Sequence, residues 1–279
     1  MLQATPELAC IVDASRLAGG ALMRRFVDRS ALNVELKGPA DFVSEADREA
    51  EDILRSTLLG TYPRFGFLTE ESVPTEGIDT RARFIVDPLD GTTNFLMGIP
   101  HFAVSVALER DRRIVAGVVF DPAKDEMFVA EEGGGAWRFP GGKRMHVSGD
   151  RDWSRAVVGT GIPHANSAGR HASYLPMLAA AMREAAGIRR LGAAALDLAY
   201  VSAGRFAAFF EVGLKAWDLA AGAVLVREAG GRVTGLYDPS AESAAASRFL
   251  ETGDVLATNG LLHESMSSLL RRAPAPPDV

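Results

Sequence analysis

Apolar residues recur at helical spacing through residues 5 to 28, at Leu8, Ile11, Val12, Leu22, Met23 and Phe26, with the small residues Ser15 and Gly19 inside the same stripe. This predicts one long helix with a thin place at its middle. Ser44, followed three residues later by Asp47, has the form of a capping box, and a helix through Leu59 with Ile53 and Leu54 turned inward follows from it. Short strands are predicted at 65 to 69 and 83 to 87. From Phe102 to about Val147 the pattern changes to short runs rich in Val, Phe and Ala, separated by DRR, DPAKD, EGGG and PGGK, which predicts an antiparallel meander. Beyond Trp153 strands and helices alternate: AVVGTGI, a helix over 170–186, IRRLG, a helix over 194–204, FAAFFEV, a helix over 217–229, a strand near 254–258 and a helix over 260–272. The expected organisation is an α+β unit over 1–150, an α/β unit over 151–272 and a disordered tail at 273–279. There is no internal repeat.

Composition narrows the class. With 279 residues, 47% hydrophobic and 24% charged, the chain has the profile of a globular protein of one large domain or two. No apolar run approaches the roughly 18 residues needed to span a bilayer. The N-terminal segment lacks a basic leader and carries Glu7 and Asp13 within its apolar stretch, so a cytoplasmic protein is the expectation. A single cysteine, Cys10, rules out an intrachain disulfide and a thiolate metal cage, and it reads as packing. The net charge is -6 and the basic residues form no stripe with interleaved aromatics, so nucleic acid is not expected as the main ligand. The histidines supply no ligand set, and His101, after a proline, reads as structural.

The chemistry concentrates in acids. IVDPLDGTTNF, residues 85 to 95, is an apolar strand running into a turn with Asp first and Pro second, which would fold Asp90 back toward Asp87. Two carboxylates and the Leu89 carbonyl can then converge, and a set of oxygens alone suits Mg²⁺ better than zinc. Gly91 permits a tight backbone before Thr92 and Thr93, which could open a short helix whose N–H groups bind phosphate. A plain Asp-Pro turn with a threonine cap fits the same letters. FGFLTEES ends another strand in Glu70 and Glu71, which read equally as loop charges. KAWDLAAGAVLVREAGG is a helix with Asp218 at its N-cap, and capping alone would explain that acid. Joint occurrence favours function, because acids gathered without cations raise one another's pKa and cost stability, whereas bound Mg²⁺ removes the repulsion.

DFVSEAD (41–47), FLTEES (67–72), IVDPLDGTTNF (85–95), GAAALDLAYVSAGRFAAFFE (192–211) and WDLAAGAVLVREAGG (217–231) together resemble the motifs of the inositol monophosphatase family, in order and spacing, over nearly the whole chain. The resemblance implies a five-layer α/β/α/β/α sandwich, usually a homodimer, that hydrolyses a phosphate monoester with two to three Mg²⁺ ions and is commonly inhibited by lithium. It implies that Glu70, Asp87 and the Leu89 carbonyl hold one metal, that Asp87, Asp90 and Asp218 hold a second, and that Glu70 touches a third. Thr92, bonded to Asp47 in the family, would orient the attacking water with Glu70; Asp47 thus reads both as capping acid and as catalytic orienter. Substrate contacts carried over are Asp90, Gly91, Thr92, Thr93, Gly192, Ala193, Ala194, Glu211 and Asp218. The substrate implied is a small phosphorylated polyol, myo-inositol 1-phosphate first, since Thr93-Asn94 is like the inositol branch and Glu211 matches an acceptor for inositol hydroxyls. Ala193 departs from relatives with Ser or Thr and loses a hydroxyl contact. Lys215, Arg189 and Arg190 read as solvated charge. Histidinol phosphatase and fructose 1,6-bisphosphatase are the alternatives within enzymes, and a regulatory protein- or RNA-binding member is the alternative of another class.

Overall fold

The structure, a computed structural model, describes residues 4–28, 34–38, 41–163, 169–237 and 248–272, with the backbone alone for 34–44. Helix α1 (Pro6–Val27), capped by Thr5, precedes a hairpin of β1 (Val34–Gly38) and β2 (Asp41–Ser44), and then α2 (Glu45–Thr61). A mixed sheet of seven strands follows in sequential order: β3 (Gly66–Thr69), β4 (Ala82–Asp90), β5 (Ala103–Arg110), β6 (Arg113–Asp121), β7 (Glu126–Glu131), β8 (Gly135–Phe139) and β9 (Lys143–Arg144). Strands β3 and β4 are parallel and the rest form the predicted meander. Helix α3 (Thr92–Leu96) lies between β4 and β5. The second half supplies β10 (Val157–Thr160), α4 (His171–Glu184), β11 (Gly187–Arg189), α5 (Ala194–Ser202), β12 (Ala208–Glu211), α6 (Ala216–Glu228), β13 (Arg232–Gly235), α7 (Arg248–Thr252), β14 (Val255–Thr258) and α8 (His263–Arg271). Its sheet is mixed too, in the order β11-β10-β12-β14-β13.

Alternation along the strands explains how these pieces stack, because successive side chains point to opposite faces. On β4, Phe84 and Val86 join a cluster with Leu8, Ile11 and Leu22 of α1 and Leu54 and Leu58 of α2, whereas Ile85 joins α5 and α6. On β12, Phe209 faces α5 and α6, while Ala208 and Phe210 face α4 and α8. Helices α5 and α6 are mostly apolar, with all of α5 and residues 219–226 of α6 buried between the sheets. The order is therefore α1 and α2, seven-stranded sheet, α5 and α6, five-stranded sheet, α4 and α8: the expected five-layer α/β/α/β/α arrangement. Gly19, the thin place in α1, is where Phe120 presses in; a Cβ there would fall 2.5 Å from its ring. Cys10 packs half-buried against the α1 and α2 core.

Three short elements were not expected: the β1–β2 hairpin, β13 and α7. The DPLD segment also differs from expectation. It does not end the strand in a turn; β4 runs on to Asp90 through a bulge, with Asp87 opposite Ser105 and Asp90 opposite Ala103. The Ser44 half of the capping box and the 273–279 tail lie outside the described residues or side chains.

Candidate active site

The bulge is what brings the two aspartates together. In a regular strand residues i and i+3 face opposite ways, but one extra residue restores the phase, so Asp87 and Asp90 share a face. It is the face of Ile85, turned toward α5 and α6, while Leu89 points its side chain into the opposite core. Glu70 stands one residue past the end of β3 on the same face as Leu68, and in the parallel register with β4 (Thr69 beside Val86) the next pair is Glu70 with Asp87. From the other sheet, Glu211 ends β12 on the face of Phe209, again toward the middle layer. Two strand ends from one sheet and one from the facing sheet thus point acids into one place.

Two helix starts complete it. Asp218 lies in the first turn of α6, where its Oδ2 accepts from the Lys215 N–H at 2.6 Å. Lys215 is the N-cap and Asp218 is N3, so the expectation of Asp218 as N-cap is corrected by three residues. Ser105, across from Asp87, donates to the Trp217 carbonyl at 3.1 Å and so pins this helix start to the large sheet. Asp87, Asp90 and Asp218 each bring one carboxylate oxygen within 4.8 Å of the others. Asp90 Oδ2 accepts from the Ala195 N–H at 2.8 Å and is further bonded by the Ala194 amide at the start of α5. The Ala194 amide, expected at the substrate, is thus spent on Asp90.

Burial drives these acids upward, joined by repulsion from Glu70, Asp90 and Asp218 for Asp87 and from Asp218 for Asp90: Asp87 lies well above the usual carboxylate range and Asp90 reaches about 8, while Asp218, raised by burial alone, reaches about 6. Glu70 repels Asp87 from the end of β3 but brings no oxygen within the group that Asp87, Asp90 and Asp218 form. Glu211 is pushed to about 8 by burial and by Asp218. Buried carboxylate oxygens gathered this closely, with no Cys or His in the group, fit a hard divalent ion. Arg190 is exposed, yet its charge pulls Asp90 and Glu211 back down, so it is closer to the site than a solvated charge.

Gly91 turns the chain from β4 into α3 with φ 91°, a left-handed conformation that favours glycine. The first bond of α3 runs from the Phe95 N–H to the Gly91 carbonyl at 3.0 Å, so the amides ahead of it have no partner within the helix. Thr92 Oγ1 lies 3.2 Å from Asp47 Oδ1 and 3.0 Å from the Leu89 carbonyl. Asp47 is buried in the first turn of α2. Thr93 is exposed beside the site. Asn94 is not: its amide is buried and donates to the His101 carbonyl at 2.8 Å and the Leu191 carbonyl at 2.9 Å. It ties α3 to the 191–194 segment instead of facing a ligand, with Gly192 and Ala193 packed against Gly91. His101 is buried as expected, its Nδ1 3.3 Å from Lys124 Nζ.

By its family model and its relatives the chain falls in the class of phosphoric monoester hydrolases, and its layered α/β fold with acids gathered beside helix starts suits that class. The family model described as inositol monophosphatase family matches residues 3–275, and the chain belongs to that family. It is 49% identical over 265 residues to the inositol-1-monophosphatase of Rhizobium meliloti (strain 1021), covering 95% of this chain and 96% of that one. It is 39% identical over 267 residues to the Nus factor SuhB of Escherichia coli (strain K12), again covering 95% and 96%. The extragenic suppressor protein suhB structure from Bartonella henselae superposes with a TM-score of 0.90 at 45% identity, covering 97% of this chain and 100% of that one. Among the described residues, no helix is long and apolar enough to cross a membrane.

Proposed function

We propose that this chain hydrolyses a small phosphorylated polyol, myo-inositol 1-phosphate first, in a Mg²⁺-dependent reaction. The observation that carries the reading is the convergence of Asp87, Asp90 and Asp218 beside the open start of α3. Glu70, Asp87, the Leu89 carbonyl, Asp90 and Asp218 would hold two to three ions. Bound Mg²⁺ supplies charge neutralisation and a more acidic water. The chain's own groups do the rest. Amides of Gly91, Thr92 and Thr93 seat the phosphate oxygens. Thr92 gives its proton to Asp47, which leaves its oxygen free to accept from a water that Glu70 also holds. That water forms the new bond to phosphorus as the ester oxygen leaves and takes up a proton, giving inorganic phosphate and the alcohol. Glu211, with the Gly192–Ala194 segment, faces the alcohol, and Ala193 makes no hydroxyl contact there.

The metal ligands fall mainly in 1–150 and the site is completed from 151–272. The family resemblance also supports a cytoplasmic homodimer inhibited by lithium. A second, regulatory reading is favoured by the relatives named Nus factor SuhB. The deciding experiment is phosphate release with Mg²⁺ from myo-inositol 1-phosphate, histidinol phosphate and fructose 1,6-bisphosphate, compared as kcat/KM. Preference for inositol phosphate upholds the reading, preference for another ester moves the substrate alone, and inactivity on all three puts the regulatory role first.

A further inference from the structure

Helix α2 carries Asp47, Glu51 and Arg55 at four-residue spacing, which stacks them along one face beside the buried stripe of Ala46, Ala50, Leu54 and Leu58. Asp47 reaches Thr92. Glu51 reaches a different part of the site. Its side chain is 5% exposed, and its Oε2 accepts from Thr69 Oγ1 at 2.9 Å. Its Oε1 accepts from Ser72 Oγ and from Arg55 Nη2 at 3.2 Å. Arg55 adds bonds to Ser72 Oγ at 2.6 Å and Thr75 Oγ1 at 2.8 Å, and its guanidinium lies 4.3 Å from the Phe67 ring centre. Thr75 in turn pairs with the Phe67 backbone in both directions at 2.9 Å.

Glu70 sits between the two hydroxyls that Glu51 holds. Phe67 belongs to the α1 and α2 core and Leu68 to the middle layer, so by alternation Thr69 faces α2 and Glu70 faces the acid cluster. The peptide carrying Glu70 is thereby fastened just before and two residues after that side chain, through one carboxylate. Because Asp47 and Glu51 are one turn apart, about 6 Å along a helix, α2 spaces Thr92 and Glu70, the two groups assigned to the attacking water. Nothing in a purely local loop would fix that spacing.

We infer that Glu51 is a positioning residue for Glu70: by holding Thr69 and Ser72 it sets metal affinity and turnover without touching the substrate. The inference rests on the reading of Glu70 as metal ligand and water orienter. Its test uses Glu51→Gln, Glu70→Gln and the double variant of the full chain. The readouts are Mn²⁺ binding by electron paramagnetic resonance without substrate, hydrogen exchange of the 66–75 segment, and kcat and KM for p-nitrophenyl phosphate with Mg²⁺. Glu51→Gln is expected to weaken Mn²⁺ binding and lower kcat by about tenfold or more, the usual cost of losing an outer partner of a metal ligand, with KM within about twofold. Exchange in 66–75 should quicken, and the double variant should be no worse than Glu70→Gln, because the two act through one group. Native Mn²⁺ affinity in Glu51→Gln beside a crippled Glu70→Gln overturns the positioning role and leaves the proposed function standing, as does a fully multiplicative double variant. Native behaviour of Glu70→Gln overturns both. If Glu51→Gln does not fold, Ser72→Ala on the exposed side decides: weaker Mn²⁺ binding supports the inference, and unchanged binding overturns it.

Discussion

Two aspartates that close strands of the same sheet are treated in opposite ways. Asp121, the last residue of β6, is fully enclosed and brings its own cation, with Lys124 Nζ 2.5 Å from Oδ2 and also bonded to the Pro100 carbonyl at 3.0 Å. Burial raises its pKa and the Lys124 hydrogen bond pulls it back. Asp90, the last residue of β4, has Asp87 and Asp218 for neighbours and is driven to about 8 despite two backbone donors. An acid with a private cation is part of the scaffold. A set of acids whose charges oppose one another is kept against stability, and that is the signature of a site.

The comparison breaks most sharply at Asp90. Asp90→Asn removes a ligand charge, so kcat should fall by about 10³ or more, on the scale of losing a preorganised polar group or worse. Because the same change relieves repulsion, Tm in EDTA should hold or rise. Melting curves and initial rates on one preparation check both halves, and near-normal turnover would remove Asp90 from the metal site. Lys124→Met is the converse. It strands the buried Asp121 acceptor and should cost about 1–3 kcal/mol, seen as a lower urea midpoint at unchanged m-value, with Mg²⁺ half-saturation unaltered. A shift in metal dependence would show that the scaffold acid is not separate from the site.

Much of this contrast was legible in the chain. Acids at the ends of apolar strands, and the face each would take, follow from period-two alternation in RFIVD, FGFLTE and FAAFFE. The bulge was not legible, since Asp-Pro reads locally as a turn and only pairing with β5 reveals that the strand continues. Asp218 was placed at the helix start because an acid before an apolar run looks like an N-cap, yet the Lys215 amide makes it N3. Nothing in the sequence marked Asn94 as a tie between α3 and the 191–194 segment, because its acceptor at Leu191 lies 97 residues away. Glu51 was invisible among the charges of EADREAED. Its spacing from Asp47 and Arg55, beside the apolar stripe, was the available signal. The β1–β2 hairpin, β13 and α7 are too short to carry a period.

The site acids also set a pH dependence. Asp90 and Glu211 move from ordinary values of about 4 to about 8 in the folded chain. Between those limits the folded chain binds protons that the unfolded chain has released, so stability falls as pH rises from about 4 to about 8. In EDTA, Tm should therefore decline across that window, and added Mg²⁺ should restore more of it at pH 8 than at pH 5, since metal replaces the protons. Asp90→Asn should flatten the decline. A Tm that climbs with pH in EDTA would mean the site acids are compensated after all.

Glu211 stands between the two kinds of acid and gives the smallest effect. It is buried and raised like Asp90, and Arg190 pulls both back, but Glu211 is not in the group of close carboxylate oxygens found among the described residues. If it belongs to the alcohol side of the site, Glu211→Gln should raise KM for myo-inositol 1-phosphate by about tenfold, the 1.4 kcal/mol scale of one hydrogen bond to a charged group. Turnover of p-nitrophenyl phosphate, which has no hydroxyls to offer, should stay near native. Equal losses on both substrates would place Glu211 with the metal acids and leave the alcohol without a carboxylate to recognise it.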